Sequence, residues 1–171
     1  MYRPGAHPIS SLQAEPRELV IGRGSVLIDS ILQSKDHALV TCRPEDTIDT
    51  AAALLYGNHI GALPVRDREG KLVGVISERD VMCGFAVHGS YVQHLRVGEL
   101  MTRDVVTCAP TESVTTAMQK MRRHSIRHLP VVDDGKLAGI ISLRDMLAAQ
   151  LRETTLEVRV LRDNVIAARH A

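Results

Sequence analysis

The chain has 171 residues, 44% hydrophobic and 24% charged, with a formal net charge of +1. That length allows one ordinary core or two small units packed on each other, and the charge balance gives nucleic acid or an anionic membrane no electrostatic claim as main partner. No apolar run approaches the roughly 20 residues needed to span a bilayer, and Met1-Tyr2-Arg3-Pro4-Gly5 carries no signal-peptide core, so a soluble, cytoplasmic protein is expected.

Residues 1–25, rich in Pro, Gly and polar types without a period, read as a flexible arm. A short amphipathic helix is predicted over Val26 to Gln33, with a counterpart in Val97 to Met101. Each sets a bulky apolar pair just ahead of the strand that opens a repeat, and each is assigned to the repeat it precedes. The first repeat, residues 26–94, then reads strand, helix, strand, strand, helix. Leu39 to Cys42 form a short strand and Pro44 turns the chain. Thr47 caps a helix with Ile48, Ala51 and Leu55 on one face, Leu63-Pro64-Val65 opens the next strand, Asp67 to Gly70 is a hairpin turn, and Leu72 to Ile76 returns. Residues 95–150 repeat this order, with Ser113 as cap, Val114, Ala117 and Met121 inward, and a turn at Asp133 to Gly135. Val40 to Asp80 and Val106 to Asp145 align with one gap, and about nineteen of some forty pairs are identical where chance gives roughly two or three. Neither copy can cover both faces of a three-stranded sheet alone, so the fold expected is α+β, two repeats packed as a sandwich about a pseudo-twofold axis.

Residues 151–171 form a helical tail. Leu147, Leu151, Thr154, Val158, Leu161 and Val165 fall at alternating spacings of four and three, an a/d stripe that either packs on its own domain or joins two copies of the chain. The three cysteines have no zinc or redox spacing. Cys42 and Cys108 occupy matching strand positions and read as small buried hydrophobes. With 2% aromatic residues there is no platform for stacking single-stranded bases, and His124 and His128 lie on different elements, so no metal site is expected.

Each repeat closes on one signature: Gly74-Val75-Ile76-Ser77-Glu78-Arg79-Asp80 and Gly139-Ile140-Ile141-Ser142-Leu143-Arg144-Asp145. Ser-x-x-Asp where a strand gives way to a helix is a capping box. It is also a constellation suited to a nucleotide, because the helix N-terminus offers free N–H groups to phosphate and a carboxylate one turn in can accept both hydrogen bonds of a ribose diol. The two roles can coexist.

The Thr-x-x-Pro opening, the segments Ile60-Gly61-Ala62-Leu63-Pro64-Val65 and Ile126-Arg127-His128-Leu129-Pro130-Val131-Val132-Asp133, and the paired Gly-h-h-Ser-x-x-Asp together resemble a tandem pair of CBS domains, named from cystathionine beta-synthase, over Val26 to about Leu147. The resemblance implies an intramolecular sandwich with two clefts for an adenosine-containing ligand such as AMP, ADP, ATP, NAD or S-adenosylmethionine, and modules that associate as a disc. It implies one cleft with Ser142, Arg144 and Asp145 facing His37, His59, Ile60 and Gly61, and another with Ser77, Arg79 and Asp80 facing Arg103, Val105, Ser125, Ile126 and Arg127. Asp80 and Asp145 would hold ribose hydroxyls, the serines phosphate or ribose oxygens, and Ile60, Ile126, Val75 and Ile140 the adenine faces. Arg127-His128 would equip the Asp80 cleft for phosphate, and Gly61-Ala62 would leave the Asp145 cleft roomier. The function implied is that of a stand-alone, non-enzymatic adenine-nucleotide sensor, a homodimer signalling to a protein effector. The rivals are a purely structural dimerisation module with vestigial clefts and an enzyme built on Cys42, Cys108 or His37.

Overall fold

The computed structural model describes residues 26–35 and 38–169. Helix α1 spans Ile28–Gln33, α2 Ile48–Gly57, α3 Glu78–His88, α4 Val97–Leu100, α5 Val114–His124 and α6 Leu143–Arg169; the strands are β1 Ala62–Arg66, β2 Leu72–Ser77, β3 His128–Asp133 and β4 Lys136–Ser142. β1 pairs antiparallel with β2 and β3 with β4, with Pro64 opposite Val75 and Pro130 opposite Ile140. The two halves are built alike, an α+β pair.

Local chemistry sets the helix ends. Thr47 Oγ1 accepts from Thr50 N–H at 3.2 Å, and Ser113 Oγ from Thr116 N–H at 3.1 Å, each meeting one of the N–H groups a helix start leaves unpaired. At the other end His59 (φ 54°) and Ser125 (φ 53°) turn left-handed. That turn lets Ile60 N–H reach Leu55 C=O at 3.1 Å and Ile126 N–H reach Met121 C=O at 3.0 Å, stopping each helix and aiming the chain into β1 or β3.

The opening strand expected in each repeat is reduced to one residue. Cys42 pairs parallel with Val65, and Cys108 with Val131, as isolated bridges. Cys42 N–H donates to Pro64 C=O and its carbonyl accepts from Arg66 N–H; Cys108 repeats this with Pro130 and Val132. Extending the ladder one step either way would need an N–H from Pro64 or Pro44, or from Pro130 or Pro110, and proline has none.

The leader helices are exchanged, which corrects their assignment to the repeats they precede. Ile28 and Ile31 of α1 are buried with Cys108, Val114, Ala117, Met121, Leu129 and Ile141 of the second repeat. Val97 of α4 and Met101 just after it join Cys42, Ile48, Ala51, Leu55, Leu63 and Ile76 of the first. The backbone bonds match one for one. Ile28 N–H donates to Glu112 C=O and Val97 N–H to Asp46 C=O; Asp29 N–H donates to Pro110 C=O and Gly98 N–H to Pro44 C=O. Such a reciprocal exchange is what an approximate twofold relation between halves requires. It also explains the glycine that opens each signature. A Cβ on Gly139 would lie 2.6 Å from Leu32 Cδ2, and one on Gly74 2.5 Å from Met101 Sδ, so each glycine seats the apolar side chain of the leader crossing over it.

Helix α6 is one continuous rod of 27 residues, about 40 Å long at 1.5 Å per residue. Met146 and Ala149 bury it against its own repeat, whereas Leu147, Leu151 and Val158 are 45%, 68% and 59% exposed. The face packed at home is therefore not the a/d stripe.

Candidate functional site

Both signatures form the same local structure. Asp80 Oδ2 accepts from Ser77 N–H at 2.8 Å and from the Ser77 hydroxyl at 2.6 Å. Asp145 Oδ2 accepts from Ser142 N–H at 2.7 Å and the Ser142 hydroxyl at 2.8 Å, while Asp145 N–H donates back to Ser142 Oγ at 3.2 Å. These are capping boxes, and they use one carboxylate oxygen only. Oδ1 of either aspartate accepts no hydrogen bond among the described residues. Each helix N-terminus thus carries a half-buried carboxylate with an acceptor to spare.

Around Asp145 the exchanged leader adds a cation. Lys35, two residues past α1, places Nζ 2.8 Å from Asp145 Oδ2 and 2.9 Å from the Ile140 carbonyl oxygen. Burial alone would raise the Asp145 carboxyl; the hydrogen bonds from Lys35 and Ser142 outweigh it and hold the pKa below the ordinary value. In the first repeat, Val75 is the counterpart of Ile140, and its carbonyl accepts from Thr102 N–H at 2.9 Å instead. Asp80 has no cationic partner among the described residues. Arg103, expected opposite it, turns Nη2 to the Gly98 carbonyl at 2.7 Å.

His128 joins the halves. A Cβ on Gly61 would lie 2.8 Å from His128 Cε1 and 3.1 Å from Nε2, so the imidazole of one repeat occupies the space left by the glycine of the other. The greater room expected beside Gly61 is filled by that ring. Burial, then the Arg127 guanidinium, push the His128 pKa below the usual histidine value; Lys35 adds to the effect, and Glu78 and Asp145 oppose it. His128, Gly61, Glu78, Lys35, Arg127 and Asp145 therefore share one electrostatic neighbourhood.

The remaining candidates fall as follows. His37 lies outside the described residues. Gly61 C=O accepts from Glu78 N–H at 3.2 Å, which sets His59, Ile60 and Gly61 beside the signature of their own repeat, and Arg127 C=O accepts from Leu143 N–H at 2.9 Å in the other. Ser125, Ile126 and Arg127 border a groove of about 640 Å³ between α5 and α6 with Met118 and Leu143. Among the described residues no hydrogen bond or ion pair links Arg127 to Asp80. The Thr102 bridge to Val75 brings the Arg103–Val105 segment alongside β2, which leads to Asp80. Ile60, Ile126, Val75, Ile140 and Val105 are half-buried; Arg79 and Arg144 are exposed. Lys35 is the residue that reading the sequence missed. Its signal, a lone lysine beyond a leader helix, acquires meaning only once the leader is known to cross over.

Cys42 and Cys108 sit buried at the isolated bridges. Burial first, with Asp46 near Cys42 and Glu112 near Cys108, pushes each thiol up to about 12, so neither supplies a thiolate at neutral pH. Among the described residues no group of three or more His, Cys, Asp or Glu is placed to hold a metal ion, and no helix is long and apolar enough to cross a membrane.

The CBS domain model matches residues 34–85 and 97–152. The chain is 33% identical over 124 residues to the CBS domain-containing protein YhcV of Bacillus subtilis, covering 72% of this chain and 87% of that protein. Among solved structures it is similar to the CBS domain pair of protein MJ0100 in complex with 5-methylthioadenosine and S-adenosyl-L-methionine. The TM-score is 0.67 at 30% identity, covering 76% of this chain and 99% of that one. It is also similar to the CBS domain protein PAE2072 of Pyrobaculum aerophilum complexed with AMP. Here the TM-score is 0.63 at 28% identity, covering 70% and 89% of the two chains.

Proposed function

This chain belongs to the CBS-domain family, and from that premise we propose that it is a non-enzymatic regulatory module that binds an adenosine-containing ligand in clefts at its two signatures and passes occupancy to a protein partner. The observation that carries the reading is Oδ1 of both Asp80 and Asp145, unengaged among the described residues: the capping bonds fall on Oδ2, and an acceptor stays available to a ribose hydroxyl at a helix N-terminus. The half-buried Val75, Ile140, Ile60 and Ile126 supply apolar surface of the kind that covers a base. The AMP and S-adenosylmethionine complexes of similar CBS pairs support the ligand class. The module acts as a homodimer, for which the exposed stripe of α6 supplies the surface.

The competing reading, an assembly module with vestigial clefts, draws on the same capping boxes, since Ser77–Asp80 and Ser142–Asp145 stabilise their helices without any ligand. A thermal-shift panel of AMP, ADP, ATP, NAD and S-adenosylmethionine separates the two. A ligand at about a hundred times its dissociation constant stabilises the native state by roughly 2.7 kcal/mol. A rise in Tm with at least one of them supports the sensor; none with any, at millimolar ligand, leaves the assembly module.

A further inference from the structure

The two clefts are equivalent in their signatures and unequal in charge. Arg79 and Arg144 follow their serines at matched positions, so they do not distinguish the sites. Lys35 does. Its ammonium group has three N–H donors, and two are engaged, by Asp145 Oδ2 at 2.8 Å and the Ile140 carbonyl at 2.9 Å. The third has no partner among the described residues and is offered to a ligand. The side chain is about one-third exposed and the Asp145 carboxylate 28%, which keeps the pair within reach of solvent and screened less than a fully exposed one. In the other half the main chain of Thr102 satisfies Val75 C=O, Arg103 is tied to Gly98 C=O, and the Asp80 carboxylate has no cationic partner among the described residues.

We propose that Lys35 is the anion-reading residue of the Asp145 cleft, so that this cleft selects an adenosine ligand carrying a 5′-phosphate while the Asp80 cleft does not distinguish it from the uncharged nucleoside. The inference rests on the adenosine reading of the clefts given above. A ribose hydroxyl on Asp145 Oδ1 sets the rest of the sugar beside the ammonium group bonded to Oδ2. A phosphate there gains a charge-assisted hydrogen bond from the third N–H. The same phosphate near Asp80 meets a carboxylate that no cation among the described residues opposes. Lys35 follows the exchanged leader α1, so the phosphate reader of the second signature comes from the segment that in sequence leads into the first repeat.

The test is calorimetric titration of the full chain and its Lys35→Gln and Lys35→Arg variants with AMP and with adenosine, at low and high salt. Glutamine keeps a donor for Ile140 C=O and removes the charge; arginine keeps the charge. The expected result for Lys35→Gln is a loss of about tenfold or more in AMP affinity at one class of site, little change for adenosine, and recovery in Lys35→Arg. In the unaltered chain the preference for AMP over adenosine shrinks as salt rises, a measurement that needs no variant to fold. Equal losses for AMP and adenosine in Lys35→Gln, or no loss for either, overturn the role of Lys35 and leave the nucleotide reading intact. An unaltered chain that binds neither AMP nor adenosine nor any other adenosine compound overturns both.

Discussion

Asp80 and Asp145 accept the same two capping bonds on Oδ2, but among the described residues only Asp145 also holds a lysine, and their substitutions separate on that ground. Asp80→Ala removes the N3 partner of a capping box, worth about 1 kcal/mol, whereas Asp145→Ala also strands the Lys35 ammonium; urea denaturation is expected to find Asp145→Ala the less stable of the two, with each variant losing one class of ligand site. If both bind as many equivalents as the parent at unchanged affinity, the carboxylates serve their helices alone. The acid limb of stability carries the same signature. Asp145 titrates in the fold below its unfolded value of about 3.9. Its contribution is thus complete above that pH and is lost as pH falls through the folded pKa, and Asp145→Asn is expected to flatten the stability curve below about pH 4. His128 acts in the same direction, in a higher pH window. Its folded pKa is depressed, so the unfolded chain takes up the proton first. Stability is then complete above about pH 6.5 and declines as pH drops beneath it, a slope that His128→Leu removes. Gly61→Ala drives a methyl into that imidazole, with an expected cost of about 1 to 3 kcal/mol that His128→Ala relieves; if the double variant is no more stable than Gly61→Ala, the steric account fails. The aspartates and serines were legible because a repeated motif marks its own positions. Lys35 and the seat of His128 on Gly61 were not, because each depends on a contact between halves that no local pattern encodes.

At the scale of elements, periodicity and caps foretold the four principal helices and both hairpins, and two departures have physical causes. The first strand of each repeat shrinks to a single bridge because prolines occupy every position that would extend the ladder; Pro44, Pro64, Pro110 and Pro130 were in view, but their effect depends on the parallel register of Cys42 with Val65 and Cys108 with Val131. The leaders exchange because each half needs a cover for its strand pair, and the amphipathic pattern of Val26 to Gln33 states that a face must be buried without stating against what. The exchange makes a directional prediction. Ile28→Ala empties a fully buried site in the core of the second repeat, at a cost of about 2 to 5 kcal/mol. Hydrogen exchange is expected to lose protection first in β3, β4 and α5, although residue 28 stands ahead of α2, β1 and β2 in the chain. Loss confined to α2, β1 and β2 would return the leader to the repeat that follows it.

For the whole molecule the proposed dimer turns on what covers α6. Its buried residues, Met146 and Ala149, already satisfy its packing at home, and the stripe through Leu147, Leu151 and Val158 stays exposed along a rod longer than its own repeat needs. Burying one leucine yields roughly 1.5 to 3 kcal/mol, so a seam built from several such positions on two copies can hold a dimer, with Thr154 as the weak step in it. Tyr56, Met82 and Phe85, exposed on α2 and α3, give a second copy an alternative surface on the body, the one a disc of two modules would use. Truncation after Gln150 separates the two. If the α6 stripe joins the chains, sedimentation of the full chain reports a dimer and the truncated chain sediments as a monomer, or as a dimer at least tenfold weaker, while far-UV circular dichroism retains the folded repeats. An equally tight dimer after truncation transfers the interface to α2 and α3, and Phe85→Glu is then the substitution expected to break it.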